Sequence, residues 1–194
     1  MGNGSYHQWH KPNLNAKTKQ GYYNIMNKDK YVGDFTRIIY RSSWEFSFCK
    51  YLDMSPSIIK WSSEPVSIPY YDRISKLAEC AKLGLNPNNP SNWEVKNYHT
   101  DFWYEVNEGE GKTKKIFVEI KPSHKLKKPI PPPRTAPLSE IRKFNNAAKE
   151  FLINEAKFAA LTAWAERNGC VFWVLTENEL SGMLGRFWHE TPNK

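Results

Sequence analysis

The sequence predicts an α/β fold in which a single mixed β-sheet is flanked by helices. Short runs rich in β-branched and aromatic residues, SIIKW, PVSIPYY, DFWYEV, KIFVEIK and VFWVLTE, recur along the chain. Two stretches with the apolar period of helices stand between and beside them, over 42–55 and 139–168. The chain is also long enough: 194 residues, 14% of them aromatic, bury a substantial core in one domain of ordinary size.

Residues 1–30 read as a basic aromatic arm. Trp9, Tyr22, Tyr23 and the adjoining Tyr31 interleave with Lys11, Lys17, Lys19, Lys28 and Lys30, a mixture suited to stacking on single strands or to docking on another protein. The main domain is expected over 31–182. Its first helix starts near Ser42 and stops before Pro56, with Trp44, Phe48, Tyr51 and Leu52 on one stripe. SIIKW and PVSIPYY follow as two strands joined by Ser62-Ser63-Glu64. Residues 72–92 read as an insertion, a helical RISKLAECAKLG closed by Gly84 and then the loop LNPNNPSN.

A strand from Trp93 then runs through Val95 and His99 into Asp101, and a hairpin returns through Glu119 to Lys121. Over 122–138 the prolines preclude helix and favour extended polyproline geometry, with Lys125, Lys127, Lys128 and Arg134 along it. The long helix carries Ile141, Phe144, Ala148, Phe151, Leu152, Phe158, Ala159 and Trp164 on its apolar side, with Gly169 just past its end. VFWVLTE, continuously apolar, reads as a central strand, and 183–194 as a tail.

The hairpin carries the chemistry. With its turn centred on Glu110, cross-strand partners have numbers summing to 220, which sets Asp101 opposite Glu119 and places Lys121 and His99 on the same face. Opposed carboxylates repel unless a cation neutralises them, and oxygen ligands of this kind suit Mg²⁺ or Mn²⁺. A slip of one residue would separate the two side chains. The thiols point away from structural zinc: Cys49, Cys80 and Cys170 are widely spaced, with no CxxC pair, as in reduced cytosolic proteins.

Charge brackets this hairpin. Residues 1–50 hold 8 basic and 3 acidic side chains and residues 111–150 hold 11 and 3, whereas 51–110 and 151–194 are net acidic. A formal net charge of +8 arranged in this way favours a polyanion, most simply a nucleic acid. Arg37 and Arg41 beside the first helix suit a grip on phosphate. No stretch approaches the ~18 apolar residues of a membrane span, and the N-terminus lacks a signal-peptide core, so a soluble, unexported protein is expected.

Taken together, Glu45 in RSSWE, Asp101 in TDF, and Glu119 with Lys121 in VEIK resemble the PD-(D/E)xK nuclease superfamily, which implies a restriction-endonuclease-like core. The ordered blocks from Tyr31 to Leu180, including YVGDFTRIIYRSSWEF, VEIKP and NEAKFAALTAWAERNG, look like the head completion proteins of T-even-like tailed bacteriophages. A similar arrangement occurs in the nuclease subunit of some heteromeric transposases.

The resemblance implies that Asp101, Glu119 and the backbone carbonyl of Ile120 hold Mg²⁺, that Glu45 is a further metal or water ligand, and that Lys121 orients water or stabilises developing charge. It implies cleavage of double- or single-stranded DNA near the packaged end, portal and neck proteins as partners, and the virion and host cytoplasm as locations. Lys157 corresponds to a position often polar or basic in the family. The chain departs in having Thr100 where a proline usually precedes the Asp. Three alternatives stay open: Ser42 and Glu45 form a helix-capping box with no part in catalysis, the fold is a structural neck or DNA-plug component with its chemistry idle, or the chain is a transposase-type nuclease subunit.

Overall fold

In chain order the elements are β1 (Gly21–Tyr22), β2 (Ile39–Tyr40), α1 (Ser43–Met54), β3 (Ile58–Ser63), β4 (Ser67–Asp72), α2 (Leu77–Leu83), β5 (Glu94–His99), β6 (Phe102–Gly109), β7 (Lys112–Ile120), α3 (Leu138–Arg167), β8 (Val171–Leu175) and α4 (Glu177–Leu184). The computed structural model describes Pro12 and residues 19–188. Trp9, Lys11 and Lys17 lie outside the described residues. The chain packs as two compact units that alternate along it: one takes the residues up to Pro65, 100–120 and those from Trp173 on, the other Val66–His99 and Lys121–Phe172.

The first unit is built on a mixed four-stranded sheet in the order β3-β6-β7-β8. Its hairpin has the expected register, since partners from Phe102↔Val118 to Asn107↔Thr113 all sum to 220. At the tip Glu110 and Gly111 have φ of 50° and 74°, the paired left-handed geometry of a type I′ turn, whose twist matches that of the strands. α1 begins where expected because the Ser42 hydroxyl accepts from the Glu45 amide at 3.1 Å. Phe48 on its buried face meets the rings of Phe102 and Tyr104 at 5.0 and 6.1 Å, which fastens the helix to β6.

Asp53, wholly buried on α1, ties the N-terminal residues down. It accepts from the Tyr23 hydroxyl at 2.9 Å and from the Met26 and Asn27 amides at 2.8 and 2.9 Å, and Lys30 Nζ donates to its carbonyl at 3.0 Å. Tyr31 packs edge-on to Trp61, ring centres 4.8 Å apart. Tyr23, Lys30 and Tyr31 are therefore part of the core and its rim instead of an arm: Tyr23 serves the buried carboxylate, Lys30 the carbonyls at the end of α1, and Tyr31 the Trp61 ring.

Two further expectations change in this unit. VFWVLTE forms β8 at the edge of the sheet, where Trp173 stays 39% exposed under the ammonium of Lys114. A continuous apolar run does not by itself tell an edge from a centre. Beyond it stands α4, started by a capping box in which the Thr176 hydroxyl accepts from the helix while Glu179 accepts from the Thr176 amide at 2.8 Å.

In the second unit β4 and β5 form a separate antiparallel ribbon, paired from Ser67↔His99 to Asp72↔Glu94, with α3 packed on β4. β4 thus does not continue the sheet begun by β3, and the expected unbroken strand from Trp93 to Asp101 stops at His99. The break falls at Thr100, which is fully buried, and Asp101, whose main-chain carbonyl accepts from the Glu64 amide at 2.9 Å. His99 ends the ribbon and so does not share a strand face with Asp101.

The 72–92 segment forms the tip of this ribbon. Asp72 anchors it: burial opposes its ionisation, yet the Lys96 ammonium at 2.7 Å and the hydroxyl and amide of Ser75 outweigh that and hold its carboxyl down at about 2. Gly84 caps α2 with φ 65°. α3 ends as expected: Gly169 is left-handed, its amide donates to the Glu166 carbonyl, and Cys170 donates to Ala165, the Schellman pattern. Its inner face is shifted, however. Leu161, Ala165 and Asn154 are buried, whereas Leu152 and Ala159 face out.

Candidate active site

Asp101 stands between two strands, and a hydrogen bond ties it to the neighbouring one. Its Oδ2 accepts from the Ile120 amide at 2.8 Å, which holds the carboxylate beside the end of β7. The hairpin ladder ends at Phe102↔Val118, and one step further in the same register brings Asp101 opposite Glu119. Glu119 is only 3% exposed. The ladder therefore sets this pair: six consecutive pairs, Phe102↔Val118 to Asn107↔Thr113, hold one register, and a bulge between Asn107 and Gly109 takes up the one-residue offset of the turn.

Glu45 reaches the same region from the first turn of α1. Its Oε2 accepts from the Arg41 amide at 2.8 Å and its Oε1 from the Ser42 hydroxyl at 3.0 Å, so the side chain folds back on its own helix start, though on the Arg41 amide where a capping box would use that of Ser42. Burial pushes its carboxyl up to about 7 against the pull of those hydrogen bonds, and the neighbouring Glu119 pushes the same way. The capping role and proximity to the acidic pair thus coexist in one residue.

Sequence reasoning passed over Glu64. Its side chain receives both Nε and Nη2 of Arg41 on Oε1, at 2.8 and 2.6 Å, and its amide binds the Asp101 carbonyl. It does so with φ of 45°, a left-handed conformation that L-residues rarely adopt. The Ser-Ser-Glu-Pro junction between two strand runs was the available signal. Arg41 is accordingly engaged by Glu64, and its backbone serves Glu45.

The other nominated residues belong to the second unit. Lys121 is half-buried and directly follows Ile120. Lys125 pairs with Glu150 at 2.6 Å, while Lys127, Lys128 and Arg134 are exposed along the proline-rich segment. Lys157 lies over the rings of Tyr98 and Tyr70, at 5.2 and 5.7 Å, a cation–π arrangement on the ribbon. The structure thus holds Asp101 at the Ile120 amide, in register with Glu119, and sets Glu45 near Glu119 and Arg41.

Among the described residues no three His, Cys, Asp or Glu side chains form a ligand cluster. A hard cation such as Mg²⁺ needs fewer, because it is held by one or two carboxylates while water and substrate phosphates fill its other positions. Asp101 and Glu119, two carboxylates in register, fit that donor set. Their mutual repulsion is what a cation would relieve.

Comparison with known proteins agrees with this architecture. The family described as "TnsA-like endonuclease N terminal" matches residues 55–177, which takes in Asp101, Glu119, Ile120 and Lys121 and begins after Glu45. The chain is also 32% identical over 157 residues to the "Head completion nuclease" of Enterobacteria phage T4, an alignment covering 81% of this chain and 90% of that one. The restriction-endonuclease-like expectation is met by a mixed sheet flanked by helices and by this family match. The chain therefore belongs to the TnsA-like endonuclease family, of PD-(D/E)xK type.

Proposed function

We propose that this protein is a phage head completion protein with a metal-dependent DNA endonuclease site, hydrolysing phosphodiesters at or near the packaged DNA end and helping to finish the portal vertex. The observation that carries the chemical part is the register of the hairpin, which sets Asp101 against Glu119 beneath Glu45. The 32% identity to a phage head completion nuclease supports the biological part.

In this reading Asp101, Glu119 and the Ile120 carbonyl hold Mg²⁺, with Mn²⁺ an acceptable substitute. When bound, the ion lowers the pKa of water and neutralises charge on the scissile phosphate. The Ile120 amide keeps the Asp101 carboxylate in place, so that it is ordered before the substrate arrives. Glu45 contributes from the helix as a metal or water ligand. Lys121 supplies an ammonium where negative charge develops, and Lys127, Lys128 and Arg134 contact the DNA backbone. Portal and neck proteins are the proposed partners, and the virion and host cytoplasm the proposed locations. No described helix is long and apolar enough to cross a membrane.

A second reading has its own observation. Both Glu45 oxygens already serve the start of α1, and Thr100 replaces the usual proline, as expected of a nuclease fold kept as a structural neck component. Incubating the full chain with supercoiled, single-stranded and flap DNA separates the two. The nuclease reading expects nicking that needs Mg²⁺, stops with EDTA and falls about a hundredfold or more in Lys121→Ala. Absence of nicking, or nicking indifferent to both, favours the structural reading.

A further inference from the structure

The second unit contains a cleft of about 220 Å³ between the ribbon and α3, walled by Tyr71, Trp93, Leu152 and Ile153, with Arg73 at its lining. Tyr71 is 59% exposed and Leu152 is 39% exposed, so an aromatic and an aliphatic wall face solvent across the opening. Single exposed apolar side chains are ordinary, whereas a concave set of them marks a binding surface. At this volume the cleft admits one flat ring system and is too small for a drug-sized ligand.

The aromatic walls are held in advance of any ligand. Trp93 meets Tyr71 edge-on at 6.1 Å, and its indole N–H donates to the Pro87 carbonyl at 2.9 Å. The loop behind it is stapled by its own asparagines: Asn86 and Asn89 side chains accept from the Asn88 and Ser91 amides at 2.9 and 3.1 Å, and Asn92 donates to the Asn86 carbonyl at 2.9 Å. This gives the 72–92 segment a task, to present Trp93 rigidly, and rigid walls lower the ordering cost of binding.

Charge selects the occupant. The unit holds 14 Lys and Arg against 7 Asp and Glu, a net +7 of the chain's +8. The one acidic side chain at the cleft, Asp72, is neutralised by Lys96 at 2.7 Å. A pocket for an apolar protein side chain needs only a charge-depleted centre and gains nothing from a net charge of this size on the surrounding unit. A flat ring carried on a polyanion fits an aromatic cleft on a strongly basic unit.

We propose that this cleft holds one unpaired nucleobase of a DNA strand, so that the second unit selects DNA with a single-stranded or frayed segment. The inference rests on DNA being the bound polymer and is independent of cleavage. Base-on-aromatic stacking is tolerant of sequence, so the cleft reads strandedness and not base identity.

The test compares, in EDTA and with the full chain, the anisotropy-measured affinity for a short mixed-sequence single strand with that for an abasic strand of equal length and charge. The expected result is about fivefold or more in favour of the base-bearing strand. Tyr71→Ala and Leu152→Ala are expected to erase the preference while leaving abasic affinity within about twofold, and Trp93→Phe, which keeps a ring, to retain it. Equal affinities in the wild type, as a cleft made for a protein side chain would give, overturn the proposal. So does a preference that survives the double Tyr71→Ala, Leu152→Ala variant with unchanged circular dichroism. Loss of nicking with the preference intact refutes the catalytic reading alone; nicking without the preference refutes the cleft alone.

Discussion

Asp101→Ala is expected to slow phosphodiester cleavage by about a thousandfold or more while leaving DNA affinity within about twofold. Removing it takes away half of the carboxylate pair at the end of the hairpin and leaves Glu119 alone beside Glu45. In the proposed reading the phosphate contacts belong to Lys127, Lys128 and Arg134 and do not involve it, so binding is expected to persist. Asp101→Asn separates charge from geometry, because an amide oxygen can still accept the Ile120 N–H that Oδ2 now accepts at 2.8 Å. A loss of charge predicts that Asn is as inactive as Ala; a loss of loop geometry predicts that Asn keeps much of the rate. Single-turnover nicking of supercoiled plasmid distinguishes them.

Asp53→Ala is expected to destabilise the protein by roughly 3–5 kcal/mol, since it strands several donors in a buried site at once. The Tyr23 hydroxyl and the Met26 and Asn27 amides lose their acceptor, while the Asn27 side-chain amide keeps only the Asp53 carbonyl at 3.0 Å. The carboxylate sits in the last turn of α1, where the helix dipole disfavours negative charge, so those donors are what make it tolerable. For a chain of this size the loss corresponds to a fall in Tm of about 6–20 °C. Thermal unfolding measures it, and a shift below about 2 °C would show that the network contributes little.

These residues also show what a sequence discloses and what it withholds. The acidic pair was legible because period-2 alternation on both strands fixes register locally, and a bulge between Asn107 and Gly109 absorbs the one residue by which the Glu110-Gly111 turn is offset from it. Ser42 and Gly169 marked helix ends for the same reason: a cap is a short-range bond written in adjacent residues. The Thr176–Glu179 capping box was equally readable, though the α4 it starts went unrecognised. Asp53 was not legible, since its partners lie 26 to 30 residues away and nothing local pairs them. Nor was the transfer at Thr100 from ribbon to sheet, which depends on which strand each edge finds, nor the place of β8 at the sheet edge.

At the candidate site the sequence supplied Glu45, Asp101 and Glu119, and the fold added Glu64, whose role is seen only through its bonds to Arg41 and Asp101. The basic residues divide in a way composition could not show. Arg41, Lys125 and Lys157 are engaged by Glu64, Glu150 and two tyrosine rings, whereas Lys127, Lys128 and Arg134 are exposed. The exposed cations thereby fall on the proline-rich segment, which is not extended throughout as its prolines suggested: it opens with a 3-10 turn over Ser123–Lys125 and turns again at 134–135.

The central claim is that Asp101 and Glu119 together hold a divalent cation, and Mn²⁺ binding tests it without reference to any substrate. Electron paramagnetic resonance of metal-stripped protein titrated with Mn²⁺ should show a bound population in the wild type that is weakened about tenfold or more in Asp101→Ala and in Glu119→Gln. Mn²⁺ bound equally well by all three proteins would contradict the account.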